Sequence, residues 1–85
     1  MNGKDAQMIS AAQSRAARAW LNITQQDLAD RSLVHKKTIA DFERGASVPH
    51  DRTLRDLSRA LEELGIEFLF DGARARGVAD RRLSD

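Results

Sequence analysis

Lys36, Lys37, Asp41 and Arg44 are the residues of this chain whose types and spacing invite chemistry, and all lie within one nine-residue stretch. At 100° per residue Lys37, Asp41 and Arg44 share one side of a helix, while Ile39 and Phe42 fall on roughly the opposite side. A helix of this kind packs through one face and offers charge on the other, the layout of a major-groove reader. Asp41 is the awkward member, because a carboxylate cannot accept a hydrogen bond from a phosphate. Two uses remain open to it. It can accept from cytosine N4 in the groove, or it can pair with Lys37 one turn back and Arg44 three residues on and fix their directions. The second is preferred, since the three charges then satisfy one another without a partner.

The rest of the chain offers little other chemistry. It has no cysteine, hence no disulfide framework and no thiolate metal site, in keeping with a reducing cytoplasm. His35 and His50 are too few and too far apart for a metal or catalytic cluster, and no nucleophile–base pair emerges, so neither an enzyme nor a cofactor is expected. No segment approaches the roughly 18 apolar residues of a membrane span, and the start Met-Asn-Gly-Lys-Asp lacks the apolar stretch of a signal peptide. A soluble, cytoplasmic protein is expected. The net charge of +1 conceals a mild asymmetry: residues 1–50 carry seven basic and five acidic side chains, residues 51–85 seven and eight. With 85 residues there is room for one small core, and pairing with a second copy would help to stabilise it.

The elements that must hold the charged helix follow from periodicity and punctuation. A first helix is predicted from about Ser10 to Leu21, Ala-rich, with Ala17, Trp20 and Leu21 along one side and Arg18 at its border. Thr24 opens the second helix, about 25–31, as the N-cap of a capping box with Asp27. The third, about 36–44, starts after His35 and stops at Gly45. The fourth runs from about Asp51 to Leu64, with Leu54, Leu57, Leu61 and Leu64 at helical spacing and Gly65 as its stop. Ile66-Glu67-Phe68-Leu69-Phe70 then suits a strand, Asp71-Gly72 a turn, and Gly77-Val78-Ala79 a short partner strand. That strand either packs on its own helices or pairs with the same strand of a second subunit. Pairing across a two-fold axis is favoured, through Ile66, Phe68 and Phe70. Trp20 is open to a core or a dimer role.

Four segments in order, Gln13 to Leu21, Thr24 to Ala29 (Thr-Gln-Gln-Asp-Leu-Ala), Thr38 to Gly45 (Thr-Ile-Ala-Asp-Phe-Glu-Arg-Gly) and Arg52 to Leu64, resemble the Cro and phage-repressor type of helix-turn-helix protein, the XRE family of bacterial regulators. The resemblance spans about residues 9–70 and implies a mainly α, lambda-repressor-like domain of four helices with a C-terminal strand or short hairpin. It implies that Gln25 bonds a DNA phosphate at the start of the second helix, and that Lys36, Lys37 and Thr38 open the recognition helix that enters the major groove. Arg44, Ser47 and Arg52 would extend toward phosphate. His35 stands where the family usually has a short hydroxyl or amide cap, and a protonated imidazole there would add a phosphate contact. An arginine of the first helix commonly pairs with the glutamate ending the third, here Arg18 and Glu43, as a scaffold under the recognition helix. Ser14 replaces a commonly apolar residue, which suggests a thinner core at that end.

The expected organisation is a flexible tail over 1–8, the helix-turn-helix domain over 9–65, a strand or hairpin for dimerisation over 66–79, and a mobile tail over 80–85. The expected function is a sequence-specific, homodimeric repressor of a pseudo-palindromic operator that binds double-stranded DNA. The alternatives are a DNA-binding antitoxin with a protein partner, or a protein-interaction module that does not bind DNA.

Overall fold

Residues 7–83 are described by a computed structural model. The order is helix α1 (Ala11–Leu21), α2 (Gln25–Ser32), α3 (Lys36–Glu43), α4 (Asp51–Glu63), strand β1 (Ile66–Asp71), strand β2 (Arg74–Asp80) and a single 3-10 turn, Arg81–Leu83.

Local chemistry places the helix ends. Ser10 Oγ accepts from the Gln13 amide while the Gln13 side chain accepts from the Ser10 N–H, a capping box that starts α1. Thr24 and Asp27 form the same reciprocal pair at α2, as their spacing predicts. His35 stands at the N-cap of α3 without a side-chain hydrogen bond, and its carbonyl accepts from the Ile39 N–H at 3.2 Å. Gly45 (φ +80°) and Gly65 (φ +104°) reverse the chain beyond α3 and α4 in the left-handed region open to glycine. The helix α2 ends otherwise: Leu33 adopts φ +62° although its side chain is 90% exposed, so no burial offsets the strain of a branched side chain there.

The core gathers one stripe from each helix and the inner face of β1: Leu28, Ile39, Leu57, Leu61 and Ile66 are fully buried, with Ala17, Phe42 and Leu54 beside them. Each such Leu or Ile contributes roughly 1.5–3 kcal/mol through burial. Ser14, expected to thin the core, is itself fully buried and donates to the Glu43 carboxylate at 2.6 Å.

β1 pairs with β2 as an antiparallel hairpin, Phe68 opposite Val78, with an irregularity between Leu69 and Phe70. Gln13 of α1 fastens it there, its Nε2 donating to the carbonyls of Leu69 (3.0 Å) and Gly77 (2.9 Å). The partner strand is longer than the three residues predicted, and within the protomer β1 packs on its own helices. Ile66 is fully buried in the protomer's core, and Phe68 and Phe70 are half-buried against it. Trp20 is 57% exposed and so is not core; its indole N–H donates to Asp80 Oδ2 at 2.7 Å.

At the ends, the expected tails divide. Residues 1–6 and 84–85 lie outside the described residues. Gln7 donates to the Gly72 carbonyl at 2.9 Å and Met8 packs against the core. Within the expected tail, the Arg81 N–H donates to the Gly65 carbonyl at 2.8 Å, and Arg82 forms a two-pronged pair with Asp80. The Arg82 guanidinium and the Trp20 indole together hold the Asp80 carboxyl well below the ordinary carboxylate range.

Candidate nucleic-acid interface

Glu43, the last residue of α3, is 2% exposed and collects donors from two other helices. Arg18 of α1 grips it with Nη2 to Oε1 at 2.6 Å and Nε to Oε2 at 2.9 Å. Ser14 Oγ donates to Oε2, and Gln25 Nε2, from the first turn of α2, donates to Oε1 at 3.1 Å. Burial pushes the Glu43 carboxyl up, but the bonds from Arg18, Ser14 and Gln25 outweigh it and leave the group below its usual range. The charge is therefore kept, and the end of α3 is tied to α1 and α2 at one point. Arg15, one turn before Arg18, adds a bond from Nη1 to the Glu43 carbonyl, capping the negative end of α3.

The outer face of α3 has a different character. Asp41 accepts from Lys37 Nζ at 3.3 Å and from Arg44 Nη2 at 3.0 Å, so it occupies the second of its two predicted uses. Arg44 and then Lys37 hold its carboxyl below the ordinary range. The two cations remain largely in solvent, with side-chain exposures of 85% for Lys37 and 67% for Arg44. Lys36 is exposed and has no acidic partner among the described residues.

The other predicted positions separate. Thr38 is half-buried on the same helix, and His35, Ser47 and Arg52 are exposed at its flanks. Gln25 is half-buried with its amide N–H directed at Glu43, so in this arrangement it supports α3. Arg15 went unanticipated. It lines a shallow depression together with Arg18, Gln25, Ala40, Glu43 and Arg44, and unlike Arg18 and Arg44 it has no carboxylate partner among the described residues. Its only signal in the sequence is a position one turn from Arg18. Ser14 could have been read as a buried hydroxyl only with Glu43 already in view.

Among the described residues no three His, Asp or Glu side chains group closely enough to hold a metal, and no helix is long and apolar enough to cross a membrane.

Comparison with known proteins agrees with this geometry. The Helix-turn-helix family model matches residues 15–69, from Arg15 of α1 through Leu69 of β1, which is more than half of the chain. No curated protein sequence matches. With α2 and α3 set as a helix-turn-helix pair, α3 pinned from behind and basic in front, the chain belongs to the Cro/C1-type helix-turn-helix family, the XRE family of DNA-binding regulators.

Proposed function

We propose that the protein is a homodimeric repressor that acts by occupying a pseudo-palindromic operator. The observation that carries the reading is the division of α3 into a buried anchor, Glu43 held by Arg18, and an exposed basic face with Lys36, Lys37 and Arg44. A helix held at one end by its own core presents its side chains at a fixed angle, which is what groove readout needs. In this reading Lys36, Lys37 and Thr38 meet base edges. Phosphate contacts come from Arg44, Ser47 and Arg52, from His35 when protonated, from Gln25 beside the free N–H groups of α2, and from Arg15. Two protomers would set their α3 helices about 34 Å apart on successive turns of the duplex.

The test is selection of bound duplexes from a random pool, followed by affinity measurements across a salt series. Two half-sites in inverted order, and an affinity that falls steeply with salt, are the expected results. A single unpaired half-site would refute the two-fold reading. Affinity indifferent to salt, or none for any duplex, would sink the DNA-binding reading.

A further inference from the structure

The outward face of α4 carries Arg55, Ser58, Arg59 and Glu62, which form one wall of a groove whose floor is Phe68 and Phe70 of β1, with Met8 at the far side. No residue of α2 or α3 lines it, so it can be covered while the recognition face stays open. The wall has a polarity. Along the wall Arg55 and Arg59 come first and Glu62 last, while the acidic Asp51 and Asp56 of the same helix do not line the groove. Neither Arg55 nor Glu62 has an ion-pair partner among the described residues, and both are exposed.

We propose that this groove is the surface through which a second copy of the chain docks, with the two α4 helices antiparallel across the two-fold axis. Residues 55 and 62 are seven apart, two turns along one face. Reversing the helix brings Arg55 opposite the partner's Glu62 and Glu62 opposite the partner's Arg55, while Ser58 near the axis faces the partner's Arg59. An isologous contact must be complementary to itself, and a stripe basic at one end and acidic at the other meets that condition only when antiparallel. The half-buried Phe68 and Phe70 supply the apolar centre and the charges the polar rim. The inference rests on the reading of the protein as a homodimer and names its interface.

Sedimentation velocity over a concentration series, on the full chain and on Arg55→Glu, Glu62→Arg and the double variant, tests it. All substitutions lie on exposed positions, and circular dichroism checks that the fold is kept. Each single variant sets like charges against each other at two symmetric places, and the dimer Kd should rise at least about tenfold. The double variant restores opposite charges and should return to within about threefold of the parent. A parent that stays monomeric at submillimolar concentration overturns the inference together with the dimeric reading. A parent dimer that ignores both single variants, or is weakened by them without rescue in the double, overturns the interface alone.

Discussion

Arg18 of α1 and Glu43 of α3 meet at 2.6 Å with the carboxylate 2% exposed, and this pair joins the first helix to the end of the recognition helix. Removing the arginine would leave a buried charge held only by Ser14 and Gln25. Arg18→Ala should therefore cost about 3 kcal/mol, the lower end of the range for broken buried pairs because Arg18 itself is 19% exposed. In a domain of this size that lowers Tm by roughly 12–24 °C. Replacing both partners by Met should cost clearly less than Arg18→Ala. Thermal melts of the two variants decide the point, and a double variant no better than the single would mean that the charge itself is not what the fold defends.

The depressed Glu43 carboxyl also fixes the sign of a pH dependence. A group whose folded value lies below its unfolded value, near 4.3 for glutamate, lends stability that is fully present above the unfolded value and is lost as pH falls through the folded one. Asp80 acts in the same direction. Urea unfolding should show stability constant around neutrality and declining below about pH 4.3. Glu43→Gln should be less stable at pH 7 and show a shallower acid decline. An equally steep decline in that variant would assign the acid sensitivity to other carboxylates.

Leu33 is a position where the chain bears a local cost. Its φ of +62° strains a non-glycine residue by about 1–2 kcal/mol, and with 90% exposure it buries almost nothing in return. Leu33→Gly relieves the strain but adds unfolded-state freedom, so the net gain should be about 1 kcal/mol. A melt shifted upward by about 4–8 °C is expected. A shift downward would mean that the exposed side chain makes a stabilising contact within the folded chain.

Much of this arrangement was legible in the sequence because it is local. The Thr24 and Asp27 box, the leucines of α4 and the glycine stops act within a few residues, and the Lys37, Asp41 and Arg44 triad follows from helical spacing alone. What escaped was long-range polar chemistry. Gln13 and Ser14 stand at buried positions of α1 and make sense only against strand carbonyls and a carboxylate supplied by distant parts of the chain. Arg18 and Glu43 were placed by family resemblance rather than by periodicity. The strand β2 was underestimated because Arg74-Ala-Arg-Gly has no β-branched residue; its register is set by β1, with Val78 opposite Phe68.

Arg15 offers a way to separate a phosphate contact from a structural cap. It bonds the Glu43 carbonyl and carries a charge no carboxylate neutralises among the described residues. Arg15→Gln should weaken binding to all duplexes alike and reduce the slope of log affinity against log salt by about 0.9. Arg15→Lys, which keeps the charge, should retain most of the slope. Weakened binding with an unchanged slope in Arg15→Gln would make the residue a cap for α3 and nothing more.

Asp41 should act as a brake on indiscriminate binding. It accepts from both Lys37 and Arg44, so two cations of the recognition face are directed toward a carboxylate that itself repels phosphate. Asp41→Asn releases them with almost no change in volume. Affinity for random duplex should rise severalfold, with a salt slope steeper by about one, because one more phosphate is neutralised. Affinity for the selected operator should rise less or fall, since the side chains lose the partner that aimed them, and the specificity ratio should narrow. Titrating parent and variant against operator and scrambled duplex at two salt concentrations measures all of these quantities. Should the variant gain equally on both duplexes, Asp41 sets charge but not direction, and Lys37 and Arg44 must be aimed by the duplex itself.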